Sequence, residues 1–339
     1  MPHGWIILDK PLGLGSTQAV AAVKRNLREA GFGKKTKVGH GGTLDPLATG
    51  VLPIALGEAT KLAGRMLDAS KVYAFTIQFG AETDTLDLEG KVVATSEVRP
   101  SLVQIAAILQ RFTGAIEQVP PAYSALMVAG QRAYDLARKG EVVALKSRAV
   151  TVHSLQIQSS PSLSRGGGMS EATDGGVSAL HPSTTASGGG PPPRDKLGED
   201  LDSITLTAHV SKGTYIRSLA RDIALALGTR GHVTMLRRLR AGPFTENQAI
   251  SLDNLNDVGK GAPLERVLLP LEAGLVDIPA LDLTPEQARA VRQGRVLSGL
   301  PHTDGLYWVR SGKTPLALVE LSGFVLTVAR GFNLPDVAE

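Results

Sequence analysis

The sequence has 339 residues, of which 42% are hydrophobic and 20% are charged, with a formal net charge of +4 and a pI near 9.3. This length and composition are typical of a folded protein with room for one large and one small domain. No apolar run reaches the roughly 18 residues of a membrane-spanning helix, and the first residues lack the pattern of a secretory signal, so we expect neither. The absence of cysteine excludes disulfides and thiolate zinc sites and favours a cytoplasmic location.

The N-terminal part of the chain is predicted to alternate strands and helices around a glycine-rich loop. Residues 5–8 predict a short buried strand, and Ser16 predicts the N-cap of a helix over TQAVAAVKRNLREA. The loop VGHGGTLDPLATG and a second helix near EATKLAGRML follow. In KVYAFTIQFG, strict alternation places four apolar residues, beginning with Tyr73, on one face, which predicts a strand.

The rest of the chain predicts further helices and strands and a change of composition near its end. An amphipathic helix is predicted over residues 101–112. A loop leading into a basic helix is predicted in VPPAYSALMVAGQRAYDLARKG, and strands are predicted over RAVTVHSLQIQ and SITLTAHVS. Residues 159–200, between those strands, are rich in Gly, Ser and Pro, so we predict a disordered insertion in a surface loop. The predicted domains are a main domain over 1–250, a connector over 251–277 and a small, mostly β domain over 278–339.

Two clusters of basic residues suit contacts with phosphate, although a solvated surface explains either cluster equally well. One precedes the glycine-rich loop and the other lies in LRRLRAGPF: Lys34, Lys35 and Lys37, and Arg237, Arg238 and Arg240. The clusters therefore point to an anionic partner without identifying it.

The segment GHGGTLDP, residues 39–46, holds one carboxylate in a loop suited to close approach. Its glycines permit positive φ, and Pro46 restricts Asp45 to an extended conformation. The segment lacks the ending of a P-loop and the complete dinucleotide-binding fingerprint, and no nucleophile elbow accompanies it. The seven histidines are scattered, so we expect no metal site. Asp45 is either a candidate catalytic acid or a turn aspartate before proline.

Two further segments carry candidate functional side chains. Lys71 and Tyr73 share one face of the predicted strand, where a tyrosine can stack on a base, handle a proton or simply pack. The segment SKGTYIRSL leads from a strand through a glycine turn into a helix, with Arg217 near the helix start. Positive charge there opposes the helix macrodipole, so Arg217 is either a surface arginine or the partner of a carboxylate.

Five segments together resemble the TruB family, the bacterial pseudouridine synthases that act on uridine 55 of tRNA. They occur in the order and at the spacing of that family: GHGGTLDPLATGVLPIALGEATKL, KVYAFTIQFGAETDTLDLEG, VPPAYSALMVAGQRAYDLARKG, VSKGTYIRSLARDIA and LRRLRAGPF. The resemblance implies an α+β fold, with a pseudouridine synthase domain built on a mixed, largely antiparallel sheet and flanking helices. The C-terminal domain resembles a PUA domain, which implies a small RNA-binding module.

The resemblance also implies roles for individual residues. Asp45 matches the family's essential aspartate, Tyr73 the tyrosine that stacks on the target base, and Arg217 the arginine that pairs with the aspartate. These three form the expected catalytic set. The expected contacts with the RNA substrate are His40, Gly42, Thr43, Asp84, Tyr215 and Leu239.

The implied reaction detaches uracil at N1, rotates it and rejoins C1′ to C5, and because no electrons are exchanged we expect no cofactor. The uridine must be flipped out of the T-arm of tRNA into a pocket. Asp45 attacks C1′, attacks the base or removes a proton from C2′, and the sequence leaves all three routes open. Tyr73 is a candidate base for the C5 proton. We expect a monomer that needs no metal or membrane.

The match has three departures, and the residues alone leave two alternative functions. Met127 stands where the family has lysine, Arg221 stands where an acid is common, and the insertion is not part of the family's pattern. An RNA-binding scaffold without turnover would suit the basic clusters, although phosphate binding needs no fixed acid. A hydrolytic glycosylase would use similar acid chemistry and release the base, so product analysis separates all three.

Overall fold

The structure is a computed structural model, and it describes residues 1–33, 35–124, 126–128, 130–141, 145–158 and 200–334. The predicted disordered insertion, apart from Asp200, and Lys34 of the first basic cluster lie outside the described residues. Within those ranges, no helix is long and apolar enough to cross a membrane.

The described residues form strands, α-helices and several short 3-10 turns. The strands are β1 (Gly4–Lys10), β2 (Val38–His40), β3 (Ala48–Leu56), β4 (Lys71–Phe79), β5 (Ala81–Thr83), β6 (Val92–Thr95), β7 (Gly114–Gln118), β8 (Met127–Val128), β9 (Gln131–Arg132), β10 (Arg148–Ile157), β11 (Ser203–Val210), β12 (Gly231–Ala241), β13 (Phe244–Thr245), β14 (Ala280–Asp282), β15 (Leu297–Ser298), β16 (Gly305–Ser311), β17 (Thr314–Ser322) and β18 (Val325–Gly331). The helices are α1 (Ser16–Glu29), α2 (Ala63–Asp68), α3 (Leu102–Leu109), α4 (Ala133–Arg138), α5 (Ile216–Ala226), α6 (Leu252–Gly259) and α7 (Pro285–Arg292).

A nine-stranded mixed sheet forms the main domain. Its strand order is β1–β3–β12–β4–β11–β10–β7, with β2 added to β3 and β13 added to β12. In this sheet β3 and β12 run parallel, while the other pairs are antiparallel. A five-stranded sheet, β14–β16–β17–β18–β15, forms the small domain. The predicted fold class, α+β with a mixed, largely antiparallel sheet and a small, mostly β C-terminal domain, is confirmed.

Strand β1 is buried on both faces because each face packs against a different layer. Ile6 and Leu8 belong to the apolar cluster that contains the buried side of α1. Trp5 and Ile7, which alternate with them, belong to a second cluster that reaches the C-terminal part of the chain. The sequence predicts the buried strand correctly, and the side-chain period of two explains how one strand supports both layers.

Strand β4 lies near the middle of the sheet and packs against α3 and α5. Phe75, Ile77 and Phe79 are almost fully buried in one apolar cluster, and Tyr73 lies at its edge. The predicted strand and its apolar face are therefore confirmed. The cluster leaves Tyr73 partly accessible at the end of the strand that approaches the glycine-rich loop.

The predicted N-cap of α1 is wrong by one residue. The N-cap is Gly15, whose backbone N–H donates to the side chain of Gln18 at 2.7 Å. Ser16 instead bonds to the backbone of Leu44, accepting from its N–H at 2.8 Å and donating to its carbonyl at 3.0 Å. Local propensity identified a capping residue, but a partner distant in sequence uses that hydroxyl to fasten the glycine-rich loop to α1.

The C-terminal part of the chain packs closely on the main sheet. One apolar cluster contains Trp5 of β1, Leu271 and Leu275 of the predicted connector, and Trp308 of the small domain. The indole N–H of Trp308 donates to the carbonyl of Ile278 at 3.1 Å. The domain boundaries proposed from the sequence stay a prediction, since this cluster draws on all three predicted segments.

Candidate active site

The glycine-rich loop is held over the junction of β3 and β12, and it carries Asp45. The N–H of Gly41 donates to the carbonyl of Pro53 at 2.8 Å, and the N–H of Ala48 donates to the carbonyl of Asp45 at 3.0 Å. A Cβ atom at Gly41 would lie only 2.6 Å from Cβ of Met66, so this position requires glycine. These contacts fix the backbone of the loop, while the Asp45 side chain stays 44% exposed.

Arg238 supports the backbone of this loop through hydrogen bonds. It is 1% exposed, and its guanidinium donates to three backbone carbonyls: Val51 at 2.7 Å, Gly42 at 3.2 Å and Thr43 at 3.4 Å. The interpretation of Arg238 as a phosphate contact is therefore wrong, because its donors are used inside the protein. Its neighbour Arg237 is also occupied, by Asp9 and Glu246.

Arg217, at the start of α5, joins two carboxylates. Its Nη2 lies 2.9 Å from Oδ2 of Asp45, and its Nη1 lies 3.1 Å from Oδ2 of Asp87. The same guanidinium donates to the carbonyls of Thr85 at 2.8 Å and Tyr123 at 3.0 Å. Four acceptors in fixed positions hold the planar fork in one orientation, so the side chain presents its charge to Asp45.

Asp87 is the residue that sequence reasoning missed. It is 8% exposed, and its Oδ1 accepts from the hydroxyl of Thr85 and the N–H of Glu89. The predicted Asp84 lies in the same loop, but its Oδ1 accepts from the N–H of Lys91 at 2.9 Å and it does not line the cavity described next. Both acids stand in the segment ETDTLDLEG, and nothing in that local pattern separates them.

A cavity of about 360 Å³ opens beside Asp45. Its size is within the usual range for small-ligand sites. Among the predicted residues, those that line it are Gly42, Thr43, Asp45, Tyr73, Tyr215 and Arg217. The apolar side chains in its wall are Leu44, Ala48, Leu67, Leu126, Val210, Ile216 and Leu236. The fold thus brings together aromatic, apolar and charged groups that lie far apart in the sequence.

Besides Asp84, two of the predicted substrate contacts lie outside this lining. His40 is half-buried in β2, and its Nδ1 accepts from the N–H of Gly42 at 3.4 Å. Burial and the charge of Arg238 lower the pKa of His40, which favours the neutral imidazole. Leu239 is the extra residue of a β-bulge in β12, because Arg238 pairs with Tyr73 while Arg240 pairs with Val72.

The two tyrosines of the cavity are positioned in different ways. Tyr73 lies in the rigid central strand β4. Tyr215 is the N-cap residue of α5, and its backbone N–H and carbonyl both bond to the side-chain amide of Gln118, at 2.7 Å and 3.1 Å. The guanidinium of Arg148 lies 4.7 Å from the centre of the Tyr215 ring. A planar ligand in the cavity therefore meets aromatic groups from two elements.

Ser124 is a buried hydroxyl that faces the same cavity. It is 4% exposed, lines the cavity, and its Oγ has no hydrogen-bond partner among the described residues. Leaving a buried hydroxyl without a partner costs on the order of 1–3 kcal/mol. The hydroxyl of Ser124 is thus a buried group at the cavity whose partner is not found in the described part of the chain.

Two buried lysines surround the loop with further positive charge. Burial, opposed by Asp45 and reinforced by Arg238, lowers the pKa of Lys10 to about 8. Burial and then Arg238 lower the pKa of Lys71 to about 8, while its Nζ donates to the carbonyls of Met66, Leu67 and Ala69. Asp45 is thus the exposed carboxylate of a predominantly cationic site.

Comparison with known proteins gives a consistent result. The family model for the N-terminal domain of TruB family pseudouridylate synthases matches residues 28–163, and the model for the C-terminal domain of tRNA pseudouridylate synthase B matches residues 217–276. The tRNA pseudouridine synthase B of Novosphingobium aromaticivorans is 68% identical over 100% of both chains. That of Zymomonas mobilis is 50% identical over 98% of this chain and 96% of its own.

Solved structures share the fold at lower identity. A chain in the structure of an H/ACA RNP bound to a substrate RNA containing 2′-deoxyuridine is 23% identical, with a TM-score of 0.65 over 98% of this chain and 86% of its own. A chain in a Cbf5–Nop10–Gar1 complex is 25% identical, with a TM-score of 0.64 over 98% and 85%. These likenesses support the arrangement of the sheet and its helices.

Proposed function

The chain belongs to the TruB family of pseudouridylate synthases, and from this premise we propose that it isomerises uridine 55 in the T-loop of tRNA to pseudouridine. The observation that carries the proposal is the ion pair between Arg217 and the exposed Asp45 at the wall of the cavity. A carboxylate held by a fixed loop and a fixed guanidinium suits chemistry at a reacting carbon better than it suits binding of phosphate.

The cavity is suited to a base that has been flipped out of the RNA. Unstacking a nucleotide costs a few kcal/mol, and stacking on an aromatic side chain returns about 1–3 kcal/mol per base. Tyr73 and Tyr215 offer such surfaces, and the apolar wall around Leu236 excludes water from the detached ring. The orphan hydroxyl of Ser124 offers a hydrogen bond to a polar atom of the nucleotide.

The reaction breaks the N1–C1′ bond and forms a C5–C1′ bond, while a proton leaves C5 and N1 gains one. The carboxylate of Asp45 attacks C1′, attacks the base or removes a proton from C2′, and each route uses its ionised form. Arg217 pairs with that form and is oriented by Asp87 from the opposite side. Tyr73 accepts the C5 proton, directly or through a water molecule.

The remaining assignments follow the same proposal. Gly42, Thr43 and Tyr215 line the cavity and contact the flipped nucleotide. His40, Asp84 and Leu239 stay predictions, assigned to the RNA around it. We expect the T-arm of tRNA to be recognised by a cytoplasmic, monomeric enzyme. Neither metal nor cofactor is required by a reaction that exchanges no electrons.

The test mixes the protein with unmodified tRNA tritiated at C5 of uridine and maps pseudouridine. Solvent tritium is expected in step with pseudouridine, one per modified site, with no free uracil. Release of free uracil would identify a glycosylase, and tight binding without either product would identify a scaffold.

Two substitutions separate the roles of Tyr73. Tyr73→Phe keeps the stacking surface and removes the hydroxyl, so tritium release is expected to slow while tRNA binding is unchanged. Tyr73→Leu is expected to impair both the flipped position of the base and the rate. Full-speed tritium release from Tyr73→Phe would remove Tyr73 as the base while leaving the isomerase intact.

A further inference from the structure

The three arginines of LRRLRAGPF have different partners, and within the described residues only Arg240 has neither a carbonyl nor a carboxylate acceptor. Arg237 pairs with Asp9 and Glu246, and Arg238 is buried against backbone carbonyls. Arg240 instead contacts a histidine, with its Nη2 lying 2.9 Å from Nε2 of His209. The bulge at residue 239 explains the separation, because it gives Arg240 the register position opposite Val72, the same position that faces His209 on β11.

His209 orients Arg240 without neutralising it. A guanidinium only donates hydrogen bonds, so Nε2 of His209 must be the acceptor, and the hydroxyl of Ser70 lies 2.9 Å from the same atom. Burial, then Arg240, then His153 lower the pKa of His209, consistent with a neutral ring. In the described part of the chain no carboxylate pairs with Arg240, and its buried Nε–H has no hydrogen-bond partner.

Arg240 lies in a groove of about 780 Å³ between the main sheet and the small domain. The groove is lined by the turn between α2 and β4, by the turn after β12 and by apolar residues of the C-terminal part, among them Val276, Leu306 and Leu318. Arg65 also lines it, and its buried Nε–H likewise has no partner among the described residues. Two guanidinium groups, each with a buried Nε–H that lacks a partner in the described part of the chain, therefore border one groove.

The charges of the groove leave a net positive site at Arg240. Arg65 is paired with Asp277 through its Nη2. Asp68, which also lines the groove, is paired with Lys212 at 2.8 Å. Each of these two ion pairs is neutral by itself. Arg240 therefore supplies the uncompensated positive charge, and an anion is the ligand that would neutralise it.

The groove is adjacent to the candidate active site. Leu67 and Lys71 line the active-site cavity, whereas Asp68 and Ser70, between them in sequence, line the groove. The turn from α2 to β4 is thus the shared wall of both. A polymer whose flipped nucleotide occupies the cavity would carry its neighbouring backbone across this turn.

We propose that the groove binds a backbone phosphate of the substrate RNA, with the guanidinium of Arg240 as the donor. This inference rests on the proposed function. Guanidinium groups bind the non-bridging oxygens of a phosphodiester through their N–H groups, and the Nη1 group of Arg240, which has no hydrogen-bond partner among the described residues, offers such donors. The apolar opposite wall limits hydration of the charge and strengthens the contact.

The test measures tRNA affinity as a function of salt for Arg240→Gln and wild type, using unmodified tRNA. Loss of one phosphate contact is expected to flatten the slope of log K against log salt by about 0.7–0.9 and to weaken binding on the order of tenfold at low salt. Arg310→Gln is the matched control, because Arg310 is already paired through two hydrogen bonds with Asp282, and its slope should equal that of wild type.

A second variant tests whether a flatter salt slope in Arg240→Gln results from a folding defect. Ser70→Asp places a carboxylate beside His209 and Arg240, where it should pair with the guanidinium, preserve or raise thermal stability and still flatten the salt slope. Ser70→Asn, which adds no charge, should retain the slope.

Two results would overturn the proposal. One is an unchanged salt slope in both Arg240→Gln and Ser70→Asp. The other is loss of inorganic phosphate binding in Arg240→Gln without any change in tRNA binding, which would indicate a site for a free anion. The salt slope is read without turnover, so a wild-type protein that binds tRNA but forms no pseudouridine would refute the proposed function and not the groove.

Discussion

Arg217 and Arg238 are both buried arginines beside the same loop, yet their surroundings differ in kind. Arg217 is 7% exposed and joins the carboxylates of Asp45 and Asp87. Arg238 is 1% exposed and bonds to the carbonyls of Val51, Gly42 and Thr43. The first is coupled to an ionisable group, and the second to backbone that cannot change its charge.

This difference separates two requirements of the site. Arg217 determines the electrostatic environment of Asp45, so changes to it should act first on the chemical step. Arg238 determines where the loop lies, so changes to it should act first on the stability of the folded state. Burial and residue type alone do not distinguish the two, but the acceptors do.

The largest effect is expected at the carboxylate itself. Asp45→Asn keeps the size of the side chain and removes the charge, so single-turnover pseudouridine formation should fall at least about a thousandfold. Affinity for tRNA should stay nearly constant, because the backbone of the loop is held by contacts that do not involve this side chain. Turnover above that level would indicate that another residue is the catalyst. The difference between Arg217 and Arg238 would then have no bearing on the chemical step.

The second-largest effect is expected at Arg217 and Asp87, the charged residues next to Asp45. In Arg217→Lys the ammonium cannot hold both carboxylates, so kcat should fall on the order of a hundredfold while KM changes little. Asp87→Asn leaves the guanidinium but removes one of its anchors, and a loss of about tenfold in kcat is expected. A matched rise in KM in both variants would instead indicate that the pair only binds RNA.

Because Arg238 holds the loop in place, its substitution should act mainly on stability. Arg238→Lys loses the span that reaches three carbonyls, so the free energy of unfolding in urea should decrease by about 2–4 kcal/mol. Well below the unfolding temperature, kcat of the folded fraction should fall far less than in Arg217→Lys. If Arg238→Lys reduced kcat more than Arg217→Lys did, the roles assigned to the two arginines would be exchanged.

The smallest effect is expected at Lys71, whose ammonium group feels the charge of Arg238. Its pKa is lowered from 10.5 to about 8 in the folded state, so between pH 8 and pH 10.5 the unfolded chain binds more protons than the native one. The wild-type free energy of unfolding should therefore rise with pH in that window relative to Lys71→Met, by at most about 1.4 kcal/mol per pH unit. Urea unfolding at pH 7.5 and 9.5 measures this difference, and parallel behaviour of the two proteins would show that its carbonyl acceptors retain the ammonium.

Much of the molecule could be predicted from local patterns. The alternation in β4 and the helical spacing of α1 depend on neighbours within a few residues, and both elements appear where the sequence placed them apart from the one-residue shift at the start of α1. The glycines and Pro46 around Asp45 likewise mark a loop that holds one acid, and five spaced segments indicated the family before any fold was known.

Other features depended on which distant segments meet. Sequence reasoning named Asp84 and missed Asp87 in the same segment, because only the position of α5 brings Arg217 to Asp87. It offered three similar arginines, and one bulge in β12 directs Arg238 to the loop and Arg240 to a groove. Composition and periodicity determined the elements, the loop and the family of this protein. The tertiary structure decided which charges are paired and which remain available, because an ion pair requires a separation of a few ångströms between atoms whose spacing along the chain carries no information about it.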